Sequence, residues 1–156
     1  MRPVVALPAL LLLLGCSAPA QPQPALAEPP QAAAADDRVR AVLGGVELRL
    51  EVADEPSERA FGLMQRASVP PGTGMLFRYD APVQTRFYMY DVLVPLTAVF
   101  VLDGRVVASI VMPPCELAEP QDCPTYGPDE PFDTVVETAP ETLPDVGPGD
   151  LLVVGR

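Results

Sequence analysis

Two apolar runs, residues 97–102 and 105–112, meet across the two-residue link Asp103-Gly104. Few arrangements other than a β-hairpin satisfy that pattern. Both link residues tolerate the positive φ of a type I′ turn, whose twist matches the strands it joins. A second segment says the same thing by alternation. Val46, Leu48, Leu50 and Val52 interleave with Glu47, Arg49 and Glu51 after Gly44-Gly45, the period of a half-buried strand. Further short strands are expected at 74–79, 85–89, 134–138 and 151–154. Only residues 54–64 read as helical, with Asp54 as cap, Pro56 in the first turn and Gly62 weakening the far end. Closely spaced strands in a chain with 21 prolines predict a mainly β fold, a compact β-sandwich or small barrel with one short α-helix.

What the chain lacks excludes much chemistry. It has no His and no Lys, and its ten basic residues are all Arg. Without His there is no Ser-His-Asp triad and no His-ligated metal. Without Lys there is no P-loop and no Schiff base. A net charge of -11 with no basic run argues against nucleic acid as a partner. No cofactor is expected.

The amino terminus reads as an address. Arg2 precedes an apolar stretch, 4–14, that runs into Gly15-Cys16. That stretch is shorter than the ~20 residues needed to span a bilayer, so 1–15 is expected to be a signal peptide. Leu13 and Gly15 before Cys16 resemble the lipobox of bacterial lipoproteins, which implies acylation of Cys16. An ordinary secretory signal cut near Ala18 or Ala20 is the competing reading. Residues 16–37 then form an acylated, Pro/Ala-rich tether with too few large apolar side chains to order itself. The remaining residues, 38–156, suit a single domain. The expected location is the cell envelope, with the membrane held through the N-terminal lipid. Cys115 and Cys123 remain as an even pair in an oxidising compartment, and their spacing is wrong for a Cys-x-x-Cys redox motif. A structural disulfide between them would contribute roughly 2.5 kcal/mol.

Several blocks occur in order: Arg59-Ala60-Phe61-Gly62-Leu63-Met64, Gly74-Met75-Leu76-Phe77, Phe87-Tyr88-Met89, Pro95-Leu96, Gly104-Arg105-Val106, Cys123-Pro124 with Tyr126, Glu137, and Gly149-Asp150. Together they resemble the DUF192 family over about residues 46–154. The resemblance implies a compact, jelly-roll-like β fold with no established activity. Two departures stand out. The family's Phe-Trp-Met-Lys-Asn-Thr reads here Phe87-Tyr88-Met89-Tyr90-Asp91-Val92, and its Pro-Leu-Asp reads Pro95-Leu96-Thr97.

Among polar side chains Arg59 is the leading candidate. A guanidinium beside an apolar Gly-Leu-Met must be paired or solvated. It would either clamp a ligand carboxylate or phosphate, or pair with Glu137 or Asp91 to hold the helix on the sheet. Asp91 and Glu137 are the carboxylates available for acid/base work on a glycan. Tyr88 and Tyr126, with neighbouring aromatics, are candidates for a ligand-binding ledge. The methionines are expected in the core rather than on copper, and no metal site is expected. The leading expectation is a non-catalytic ligand-binding or interaction domain whose partner is a glycan or an envelope protein. The alternative is a carboxylate-dependent enzyme acting on an envelope polysaccharide, which requires Asp91, Glu137 and Arg59 to converge in one cleft. A purely structural lipoprotein would instead present a flat patch and no pocket.

Overall fold

The computed structural model describes residues 37–155. The leader, Cys16 and the tether up to residue 36 lie outside them. The strands are β1 (Val39–Leu43), β2 (Val46–Ala53), β3 (Thr73–Val83), β4 (Phe87–Tyr88), β5 (Leu96–Leu102), β6 (Arg105–Met112), β7 (Thr125–Tyr126), β8 (Phe132–Thr138) and β9 (Leu152–Val154). One α-helix, α1 (Pro56–Phe61), lies between β2 and β3. None of the helices among the described residues is long and apolar enough to cross a membrane.

Seven strands form one sheet in the order β6-β5-β8-β3-β2-β1-β9, while β4 and β7 form a separate ribbon. Every pairing is antiparallel except β2 with β3, which the α1 crossover makes parallel. The sheet curls until its two edges touch. Arg105 bridges Leu151, the Val106 amide donates to the Asp150 carbonyl at 2.9 Å, and the Leu152 amide donates to the Gly104 carbonyl at 2.9 Å. The result is a partly closed barrel, the mainly β architecture that the alternation and hairpin signals predict. Asp103 and Gly104 take φ values of 48° and 76°, as a type I′ turn requires.

Curling gives the sheet two apolar faces. Leu43, Leu48, Leu50, Leu76, Val99, Val101 and Val136 fill the inner face. Phe77, Phe100, Phe132, Val135, Leu96 and Met112 form the outer face, covered by the chain following α1 and by the segment holding Met89 and Val92. Strand β5, paired on both sides between β6 and β8, is therefore buried along nearly its whole length and reads as an almost unbroken apolar run.

Three local expectations are corrected. The helix occupies only Pro56–Phe61, because Gly62 turns the chain with φ of 51° and delivers Leu63 to the core. Its N-cap is Glu55 rather than Asp54. The Glu58 carboxylate accepts from the Glu55 and Asp54 amides at 3.1 and 3.2 Å, while the Asp54 carboxylate turns across to Arg78 at 3.3 Å. The strand expected at 85–89 shrinks to Phe87–Tyr88, which leaves the main sheet to pair with Thr125–Tyr126.

Candidate ligand-binding pocket

A row of side chains crosses the outer face of the sheet: Glu51 on β2, Met75 on β3, Glu137 on β8 and Ala98 on β5 are successive cross-strand partners. The next row, Ala53, Phe77, Val135 and Phe100, is wholly apolar. Glu137 thus sits in the middle of a sheet, flanked by Met75 and Ala98. The residue is only 5% exposed, and its carboxyl takes part in no hydrogen bond or ion pair among the described residues; it is not among their sealed polar atoms, so its oxygens open onto free space. Burial disfavours the charged form, and the carboxyl is pushed up to about 8. At neutral pH this group is an uncharged acid that can both donate and accept.

Glu137 lines a cavity of about 250 Å³. Its walls come from α1 and the turn after it (Arg59, Phe61, Leu63, Met64), from β3 (Phe77), and from the segment around β4 (Phe87, Tyr88, Met89). Edge-to-face ring contacts fix the apolar wall, with Phe77 on Phe87 at 5.4 Å and Phe87 on Phe100 at 5.6 Å between centroids. The disulfide braces the same wall. Cys115 and Cys123 are bonded with their Cα atoms 5.8 Å apart, and the Cys115 amide donates to the Met89 carbonyl at 3.2 Å.

Arg59 is the cationic wall. Its guanidinium stacks on the Tyr79 ring, 4.9 Å from the centroid. Nη1 donates to the Arg78 carbonyl at 3.0 Å and to the Asp54 carbonyl. Tyr79 is held neutral, its hydroxyl pushed up by burial and pulled back in part by the Arg59 charge. The pairing of Arg59 with Glu137 or Asp91 is not formed: backbone carbonyls and an aromatic face hold the side chain, and no carboxylate among the described residues neutralises it.

The remaining sequence candidates separate. Tyr88 lines the cavity and is 40% exposed. Tyr126 pairs with Phe87 in the ribbon and packs on the outer core, away from the cavity lining. Asp91 is also outside that lining. With φ of 57° it closes a turn, its carboxylate accepting from Gln65 Nε2 at 2.7 Å and its carbonyl from the Gln65 amide at 2.8 Å. Met75, Met89 and Met112 are buried in the outer core. No cluster of three or more potential metal-binding His, Cys, Asp or Glu side chains occurs among the described residues.

Arg86 is a lining residue that the sequence reading missed. It donates to the Gly127 carbonyl at 2.7 Å and to Asp129 at 2.9 Å, so its charge is already balanced. Nothing local marks it, because its partners lie more than 40 residues away. Glu51, in the same row as Glu137, is paired bidentately with Arg66 at 2.7 and 2.6 Å, and those hydrogen bonds hold its carboxyl below the ordinary value. A larger concavity of about 540 Å³ lies between β1, β2 and β9, lined by Arg40, Glu47, Arg49 and Val153. None of its lining side chains is a buried acid without a partner, so the smaller cavity is the chemically distinctive one.

Comparison with known proteins leaves the activity open. No curated protein is significantly similar to the chain. Two solved structures share its fold. One is a proposed transcription regulator from Sinorhizobium meliloti 1021, 30% identical, covering 75% of this chain and 92% of that one, with a TM-score of 0.62. The other is a protein of unknown function from Novosphingobium aromaticivorans DSM 12444, 27% identical, covering 74% of this chain and 84% of that one, with a TM-score of 0.61. The DUF192 profile, described as an uncharacterized ACR, matches residues 39–154, which takes in the nine strands among the described residues and every residue lining the Glu137 cavity. This chain belongs to the DUF192 family.

Proposed function

We propose that this chain is a lipid-anchored cell-envelope protein whose β domain binds a small ligand in the Glu137–Arg59 pocket and carries out no reaction on it. One observation carries the binding reading: an uncompensated guanidinium and a buried, unpartnered carboxyl line the same small cavity. An acid with no partner costs stability, and such costs are concentrated at functional sites. The polysaccharide hydrolase reading is weaker. Glycoside hydrolysis uses two carboxyl groups about the scissile bond, whereas Glu137 is the one carboxyl lining the cavity and Asp91 is engaged with Gln65. The cavity is also smaller than the ~300–1,000 Å³ of pockets that enclose drug-sized ligands, and an oligosaccharide is larger still. A net charge of -11 opposes binding to a polyanion such as DNA, so the regulator description of the Sinorhizobium protein finds no support in this chain.

The pocket reading is tested by methyl NMR of the protein against a collection of small acids, alcohols and sugars. Leu63, Met64, Met89 and Val92 signals are expected to shift, while Leu43 and Val136 on the inner face stay in place. Shifts scattered over both faces, or none, would contradict it. Attachment through Cys16 is supported by the Leu13-Leu14-Gly15-Cys16 sequence, and the Pro/Ala-rich segment after it suits a spacer. Two acyl chains anchor a protein far more firmly than one, since each buried methylene is worth ~0.8 kcal/mol. Cys16→Ser is expected to abolish incorporation of labelled palmitate and release the protein from membranes. Unchanged labelling would reject the anchor.

A further inference from the structure

The chemistry of the pocket narrows the class of ligand, and this step rests on the binding reading above. Arg59 has two of its donors committed to carbonyls and presents its remaining N–H groups without a carboxylate among the described residues. Arg86, the other lining cation, is balanced by Asp129. The cavity therefore offers one uncompensated positive charge, which matches a monoanion and is too little for a dianionic phosphate. Glu137 adds a hydrogen-bonding group nineteen-twentieths buried and without a partner. Apart from the Tyr88 phenol the rest of the lining is apolar, with Phe61, Leu63, Phe77, Met89 and Val92 contributing most of it.

We propose that the pocket takes a small monocarboxylic acid as its anion, the carboxylate shared between the Arg59 guanidinium and the Glu137 carboxyl, the apolar body lying against Phe77 and Leu63. Arg59 supplies a charge-assisted hydrogen bond in a geometry suited to carboxylates. Glu137 supplies the second donor only while it keeps its proton. The titratable and charged groups around Glu137 are Arg59 from α1, Tyr79 from β3, Arg86 and Tyr88 from the β4 segment, and Glu51 in its own cross-strand row, already paired with Arg66. Loss of the Glu137 proton places a second negative charge beside the bound anion, so carboxylate affinity falls as pH rises through about 8.

The test is calorimetric titration of the protein with benzoate and hexanoate, and with their neutral amides, at pH 6 and pH 9. The acids are expected to bind at pH 6 at least about tenfold more tightly than the amides, the size of one hydrogen bond to a charged group. They are expected to lose about tenfold by pH 9, the ceiling for one proton released near pH 8. In Glu137→Gln the pH dependence should vanish, and in Arg59→Gln the preference for acid over amide should vanish. Arg59→Lys, which keeps the charge, should restore part of that preference. Equal binding of acid and amide would overturn the carboxylate assignment and leave the pocket reading standing. Failure of every probe, with no shift of the pocket methyls, would overturn both.

Discussion

Glu137→Gln is expected to make the protein more stable at pH 8.5 by several kcal/mol and to leave it nearly unchanged at pH 5. The folded carboxyl titrates near 8 and the unfolded one near its ordinary 4.5. Below about 4.5 both states carry the proton and the group has no effect on pH dependence. Between 4.5 and 8 the unfolded chain releases its proton and the folded chain does not, so stability falls as pH rises. Above 8 both are ionised and the slope ends. At 1.36 kcal/mol per unit, the full loss approaches about 5 kcal/mol, large beside a typical total of ~5–15 kcal/mol. Glutamine occupies the same volume without a proton to lose. Urea unfolding at pH 5 and 8.5 isolates the effect, because the other carboxylates titrate alike in both proteins. Parallel pH profiles for parent and variant would show that Glu137 ionises normally in the fold. If the same variant binds ligand less well while unfolding later, the carboxyl is kept for the pocket at the expense of stability.

The second large effect is steric. Gly74 sits on β3 opposite Thr138 of β8, and a Cβ added there would fall 2.0 Å from the Glu137 carbonyl oxygen. That contact is backbone, in the middle of a sheet paired on both sides, and cannot rotate away. Gly74→Ala is expected to cost more than ~4 kcal/mol, the range reserved for core disruption, and to leave little soluble folded protein. Gly147→Ala is the control. Nothing lies within 4 Å of its added Cβ, so its effect should stay within ~1 kcal/mol, with stabilisation through the unfolded chain the favoured sign. Circular dichroism and urea midpoints decide between the two. A Gly74→Ala protein with parental stability would mean that β3 and β8 are not as close as described.

The hairpin and the alternating strand are legible in the sequence because each is a local signal: Asp103-Gly104 dictates its turn, and residues 46–52 place every second side chain inward. The parallel β2–β3 pairing is not local. It depends on α1 being short enough to return the chain alongside β2, and the helix is short because Gly62 adopts positive φ. β1 escapes the sequence reading because exposed Val42 turns residues 41–43 into an apolar run and hides the alternation that sends Val39, Ala41 and Leu43 inward. Glu137 shows the same limit at the site. Alternation puts it on the face opposite Val136 without saying what covers that face; β8 is covered on both faces, and the second face is the pocket. The sequence ordering brought Arg59 and Glu137 forward as candidates. Their shared cavity needs the crossover and the β4–β7 ribbon to be in place, and Asp91 drops out because its turn engages Gln65.

One proton on Glu137 decides both the stability profile and the chemistry of the pocket. Carbon-13 NMR of the Glu137 side-chain carboxyl, assigned by comparison with Glu137→Gln, follows that proton directly. A midpoint near 8 is the predicted result. A midpoint near 4.5 would mean a charged carboxylate lining the cavity and contradict both the stability profile and the carboxylic-acid pocket.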